Sequence, residues 1–348
     1  MTALPTPLRY LGAPGSPYTR KMRALLRYRR IPCEMIVQGS RGASGLPRPK
    51  VPLLPTFYLP GADGGLEAVA DSTPLIRRFD EAFEGRRVVP PDPALAFLDA
   101  LLEDYGDEWL TKAMFHYRWT HEADIEKARR VLPLWRAVDT PDEEVEPLAK
   151  AFAERQIGRL YVVGSNETTA PVIEESYRRF LRRLDALLTR QPFAMGRRPG
   201  ASDFALYGQL TQLANFDPTP SAVTRAESPR VVAWVEVCED LSGLDVDDAG
   251  WLARDAARDA LHPLLGELGR SYVPVMRANA AALARGAERV ECEVDGRPWV
   301  QQPFPYQAKC LRWLAEAHAA LAPADRAFVD GVLAGSGCEA LFAGAGDA

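Results

Sequence analysis

Leu8-Arg9-Tyr10-Leu11-Gly12-Ala13-Pro14-Gly15-Ser16-Pro17-Tyr18-Thr19-Arg20-Lys21 is the stretch on which the fold turns. A short apolar strand over 8–12 runs through a Gly/Pro turn into a helix that opens with Ser16-Pro17. Proline suits the first helical position, where its missing N–H forfeits no helical bond, and serine before it can cap the free N–H groups. The same entrance, with unpaired N–H groups and the positive end of the helix dipole, also favours an anion such as a thiolate. Ser16 therefore reads either as a plain cap or as part of an anion site.

Outward from this turn, residues 17–30 alternate faces at helical spacing, with Met22, Leu25 and Leu26 on one side and Arg23, Arg27, Arg29 and Arg30 on the other. A second strand is expected at Cys33–Val37, then an irregular connection over 39–50 rich in Gly, Ser, Pro and Arg. Leu53–Leu59 and Leu66–Ala70 read as a hairpin around the Gly61-Ala62-Asp63-Gly64-Gly65 turn. Asp71-Ser72-Thr73-Pro74 then starts a helix to about Phe83, with Leu75, Ile76 and Phe79 facing inward. A helical crossover makes the first two strands parallel, so the order strand, helix, strand, strand, strand, helix is thioredoxin-like. Gly85 with Pro90, Pro91 and Pro93 marks a linker over 84–93.

From Ala94 to Ala260 the pattern is helical throughout, as in Phe97, Leu98, Leu101 and Leu102, or Val172, Ile173, Phe180, Leu184 and Leu187. Leu132–Pro171 reads as one helix flanked by loops. A third segment predicts a long helix around Val275–Arg285, a hairpin at Val290–Gly296 turned by Asp295-Gly296, and helices near Tyr306–Leu321 and Ala324–Leu333, anchored by Trp299, Phe304, Tyr306 and Trp313. The expected units are 1–84, thioredoxin-like α/β; 94–260, all-α; and 261–348, an added module of hairpin and helices.

The 348 residues, 47% hydrophobic and 26% charged, are ordinary for a globular protein, and no apolar run approaches the ~20 residues of a membrane span. The N-terminus has neither a basic start nor a long apolar stretch, so no secretion signal is expected and the default location is cytoplasmic. A net charge of −5 with interspersed signs argues against nucleic acid and for small-molecule partners. Five scattered cysteines without Cys-x-x-Cys spacing disfavour a disulfide framework or zinc site. His116 and His121, at i, i+5, do not share a helical face, so no metal site is expected there.

A thioredoxin-like half joined to an all-helical half resembles the cytosolic glutathione transferase family, and three motifs carry the likeness over about residues 8–245. Ser16-Pro17-Tyr18-Thr19-Arg20-Lys21 is similar to the family's entrance to its first helix. The resemblance implies that Ser16 donates to the sulfur of glutathione, with Tyr10 at the end of the first strand as the alternative and Tyr18 third. Leu53-Leu54-Pro55-Thr56-Phe57 is similar to the family's strand with a cis-proline, implying that Leu54 offers its backbone to the cysteinyl part of the ligand; Pro52 competes with Pro55 for the cis position. Asp71-Ser72-Thr73-Pro74 resembles the acid-Ser pair at a helix entrance that holds the γ-glutamyl group. Among Arg41, Arg48 and Lys50, Lys50 is the choice for the glycine carboxylate.

Gly200-Ala201-Ser202-Asp203-Phe204-Ala205-Leu206-Tyr207-Gly208 resembles the family's capping-box helix, with Gly200 where Ser or Thr is usual and Asp203 expected to reach back to a backbone N–H. No cysteine stands at position 16, which disfavours disulfide exchange. The aromatic run from Glu103 to Trp119 lies where the family's cleft is expected; it reads either as the electrophile pocket or as core residues with a solvated acidic face. The resemblance thus implies a homodimeric enzyme that conjugates glutathione, its co-substrate, to a hydrophobic electrophile or isomerises one. A non-catalytic binding or scaffold protein of the same fold is the competing expectation. The tail beyond the resemblance is expected either to pack on the outer face of the helical domain or to fold over the cleft.

Overall fold

Strand alternation buries Leu8, Tyr10 and Gly12 of β1 (Leu8–Gly12) on one face. In the computed structural model, which describes residues 4–61 and 64–343, β1 lies parallel to β2 (Cys33–Val37) across the crossover helix α1 (Pro17–Tyr28). On its other side β1 runs antiparallel to β3 (Thr56–Pro60), and β3 to β4 (Leu66–Val69), giving the order β2-β1-β3-β4. The helix α2 (Ser72–Ala82) closes this thioredoxin-like domain over Phe57 and Phe79, whose rings meet edge-on. β3 begins at Thr56, three residues later than expected, directly after a cis Leu54–Pro55 bond. Ala62 and Asp63 of the expected turn lie outside the described residues.

Arg29, expected on the polar face of α1, is instead buried, where its guanidinium pairs with Asp80 and donates to the carbonyls of Phe83 (2.6 Å) and Gly85 (3.0 Å). It therefore fastens the linker to the first domain. α3 (Pro93–Tyr105) follows, capped by Asp92, and passes through a wider π-type turn at Gly106–Leu110 into α4 (Thr111–Thr120). Then come α5 (Glu122–Leu134), α6 (Asp142–Ile157) and α7 (Ala170–Leu188). α8 (Ala201–Leu210), α9 (Pro218–Glu227) and α10 (Pro229–Cys238) complete the helical core.

α8 crosses α1 at Gly208, where a Cβ would lie 2.5 Å from the Pro17 carbonyl oxygen, so only glycine permits this approach of the two domains. Its N-terminus is capped from a distance. Asp99 of α3 accepts from Ala201 N (3.0 Å) and Ser202 N (3.1 Å), while Asp203 accepts from Gly200 N (2.9 Å) as expected. A Cβ on residue 200 would stand 2.3 Å from Asp99 Oδ1, which explains the glycine there.

The boundary expected at 260/261 falls inside α11 (Arg254–Ala284), a 31-residue helix that continues through Pro263 and Pro274. Leu261, Leu264, Leu265 and Leu268 are buried, and α11 packs on α7 and α3, so the tail grows out of the helical domain. The expected hairpin is β5 (Val290–Val294) with β6 (Arg297–Gln301), turned by Asp295 and Gly296 at φ of 55° and 72°. Behind it Trp299 is fully buried, its ring 5.3 Å from that of Trp109. α12 (Pro305–Ala320) and α13 (Pro323–Leu333) follow. Among the described residues, no helix is long and apolar enough to cross a membrane.

Candidate functional site

Three parts of the chain enclose a cavity of about 580 Å³. The thioredoxin-like domain contributes Tyr18, Leu54, Asp71 and Ser72; α3, the π-type turn and α4 contribute Asp104, Asp107, Glu108 and Phe115; the tail contributes Phe304, Tyr306, Cys310 and Trp313. The tail thus does both things expected of it, with α11 against the helical domain and α12 across the cleft.

Three of the expected binding residues, Leu54, Asp71 and Ser72, meet on this cavity, and Pro55 is buried behind Leu54 at the cis bond. Pro52 is not cis. Asp71 sits at φ +86°, a region costly for a non-glycine residue and found where a site holds its backbone in a set shape. Its side chain leaves the cap of α2 unmade and turns to the tail: Tyr306 Oη donates to Asp71 Oδ2 at 2.9 Å, and Lys309 Nζ stands 3.9 Å from the same oxygen.

The expected thiol donors are arranged differently. Ser16 Oγ accepts from Thr19 N at 3.2 Å and caps α1; it does not line the cavity, and Trp135 and Leu132 pack over the adjoining Gly15. Tyr10, the alternative, is 1% exposed and stacked on Phe57 at 5.0 Å. That corrects the expectation for Tyr10, because strand alternation turns it with Leu8 into the core, and burial raises its pKa. Tyr18 does line the cavity, with its hydroxyl donating to the Asp107 carbonyl at 2.7 Å. Lys50 and Arg48 are exposed and outside the wall, although Val51, next to Lys50, is part of it. The Arg41 side chain lies outside what the structure describes.

Sequence reasoning missed the charged floor of the site. Lys21, 1% exposed, donates from Nζ to Ser72 Oγ (3.2 Å), Glu103 Oε1 (2.8 Å) and Asp107 Oδ2 (2.6 Å). Burial alone would lower its pKa, but Asp107 and Glu103 outweigh it and raise it. Burial likewise opposes ionisation of Glu103, yet Arg77 and Lys21 hold that carboxyl down at about 2. The acidic face expected to be solvated is therefore buried. Burial pushes Asp107 up to about 6, Asp104 to about 7 and Glu108 to about 8, with neighbouring carboxylates adding to it. Burial also lowers Lys112 to about 8. Trp109 and Trp119 belong to the core, while Phe115 faces the cavity. Two signals were present: Lys21 lies four residues before Leu25 on the buried stripe of α1, and Glu103/Asp107 and Asp104/Glu108 repeat at i, i+4.

The cavity therefore sets a short polar corner beside an aromatic wall. Residues 11–87 match the glutathione S-transferase N-terminal domain and residues 145–236 the glutathione S-transferase C-terminal domain. A comparison with curated proteins found no match. Among solved structures, a glutathione S-transferase from Methylobacterium radiotolerans in complex with glutathione sulfonate is 18% identical and covers 69% of this chain and 98% of its own, with a TM-score of 0.35. The Tau class glutathione S-transferase of mango, Mangifera indica, is 18% identical and covers 73% of this chain and 96% of its own, with a TM-score of 0.37. At those scores neither structure bears weight. The two matched domains, in family order on either side of the linker and joined by the α1–α8 contact, make this chain a member of the glutathione S-transferase family.

Proposed function

We propose that this protein binds glutathione in the corner formed by Leu54, Asp71 and Ser72 and conjugates it to, or uses it to isomerise, a hydrophobic electrophile. The observation that carries this reading is that the cis Leu54–Pro55 bond and the Asp71-Ser72 helix entrance open onto the same cavity as Phe115, Phe304 and Trp313. The Leu54 backbone would pair with the cysteinyl unit, Ser72 and the start of α2 would take the γ-glutamyl carboxylate, and Asp71 its amine. Lys50, exposed and next in sequence to Val51 of the wall, would meet the glycine carboxylate. Ser16, off the cavity wall, would serve as thiolate donor with the ligand sulfur turned toward the α1 entrance: its cap to Thr19 uses an oxygen lone pair and leaves the hydroxyl proton to donate, and the α1 dipole favours the anion. The protein acts as a cytoplasmic homodimer, the arrangement usual for the family.

One observation favours the second reading, a binding or scaffold protein without turnover. Asp71, the group assigned to the ligand amine, is already held by Tyr306 and approached by Lys309 of the same chain. Retention on immobilised glutathione and a panel of hydrophobic electrophiles separate the two. Retention with turnover on any electrophile removes the scaffold reading; absence of both removes the transferase. Unchanged conjugation by Ser16→Ala removes Ser16 from the chemistry.

A further inference from the structure

We propose that His116, His121 and Glu174 bind a divalent transition-metal ion of the zinc class, with water completing its coordination. The expectation that i, i+5 spacing separates the two histidines fails because α4 ends at Thr120. His121 has left the helix, with ψ at 132°, and its ring returns over the last turn. Among the described residues, one ligand atom from each of the three side chains lies within 4.8 Å of the others.

The spacing fits a metal better than a hydrogen-bonded cluster. His116 Nε2 and His121 Nε2 each stand 3.3 Å from the same Glu174 oxygen, Oε1. In a tetrahedral site with bonds of about 2.0–2.1 Å, neighbouring ligand atoms lie about 3.3 Å apart. As a hydrogen-bonded group the arrangement is poor: one oxygen faces two ring nitrogens, the His116 contact is long, and the buried His121 Nε2 makes no hydrogen bond. The outer contacts orient the rings as metal-bound imidazoles require. His116 Nδ1 is 2.8 Å from Ser165 Oγ, so Nδ1 can carry the proton and donate while Nε2 presents its lone pair. The Tyr117 ring stacks on His121 with centroids 5.4 Å apart.

The His116 side chain is 3% exposed, whereas those of His121 and Glu174 are 34% and 36% exposed, which gives a hydrated ion a way in and leaves room for water as a further ligand. Two imidazoles and one carboxylate suit zinc, cobalt, nickel or copper over magnesium or calcium. The ion would join α4, which supplies Phe115 to the cavity, to α7 and to the loop holding Ser165.

The test uses the full chain, freed of any affinity tag, titrated with cobalt(II) and read by its visible absorption, with zinc(II) as competitor and bound metal counted after dialysis. The expected result is one ion per chain, with the intense visible bands of a four-coordinate cobalt site that zinc abolishes. His121→Ala and Glu174→Gln, both at partly exposed positions, lose the bands while keeping the circular dichroism of the parent. Ser165→Ala keeps the stoichiometry and binds about 10–100-fold more weakly, as loss of an outer-shell partner does. Absence of bound metal, or binding by His121→Ala and Glu174→Gln equal to that of the parent, overturns the proposal.

Discussion

Replacing Asp99 by alanine tests whether α8 is capped from α3. Asp99 is fully buried and accepts from Ala201 N and Ser202 N; Ala201 N also reaches the Val88 carbonyl at 2.9 Å, so the substitution strands Ser202 N in particular. A lost cap costs about 1 kcal/mol and a stranded buried N–H about 1–3 kcal/mol, so Asp99→Ala should destabilise by roughly 2–4 kcal/mol. Gly200→Ser alone restores the residue usual for the family but drives a Cβ to 2.3 Å from Asp99 Oδ1 and 2.6 Å from Met195 Cγ, an overlap worth about 1–3 kcal/mol. The pair together removes the Asp99 overlap and lets the serine hydroxyl accept from the stranded N–H. The double variant should therefore be more stable than the sum of the singles by about 2 kcal/mol. Urea unfolding at neutral pH, with m-values compared across the four proteins, measures this coupling. Additivity within about 0.5 kcal/mol refutes a cap shared between α3 and residue 200.

Tyr306→Phe frees Asp71 from its phenol partner; if that bond must yield to the ligand amine, glutathione affinity measured calorimetrically rises about tenfold, for a charged hydrogen bond near 1.5 kcal/mol, and a fall would mean that Tyr306 assists the ligand. Lys21→Met leaves Glu103 and Asp107 buried without their cation and should cost about 3–5 kcal/mol in thermal or urea unfolding, part of which Asp107→Asn restores in the double variant; a loss under 1 kcal/mol would contradict the pairing. Asp107, Asp104 and Glu108, raised to about 6, 7 and 8, bind protons on folding. Their contribution is complete below about pH 4 and is lost as pH rises through those values, so the urea midpoint falls between roughly pH 5 and 9 and Glu108→Gln flattens the slope; a midpoint that rises over this range would refute the shifts.

The strands and the two helices of the first domain were legible because alternation, helical spacing and Gly/Pro punctuation all point the same way there. The cis bond was implied by the family likeness, and position before the strand only favoured Pro55 over Pro52. Local pattern could not show the cap of α8, since its acceptor comes from Asp99, 102 residues away. Nor could it show that Lys21, Glu103 and Asp107 neutralise one another in the interior, because a charge on a helix reads as solvated until its partner is known. The expected 260/261 boundary lies inside α11, whose packing against α7 and α3 carries the helix through Pro263 and Pro274, a long-range effect that local pattern does not show. The burial of Tyr10 follows from its spacing from Leu8, which places both on the inner face of β1.

The cavity's third wall also has a consequence for the protein's making. Synthesis delivers both family domains before Phe304 to Trp313 leave the ribosome, and domains fold largely in that order. Until α12 emerges, the nascent chain presents an open trough. In the finished protein α12 is held across that trough by its packing on α11 and α3 and by the Tyr306–Asp71 hydrogen bond. The third wall is thus made after the two that it closes over, and it is seated on helices that precede it in the chain.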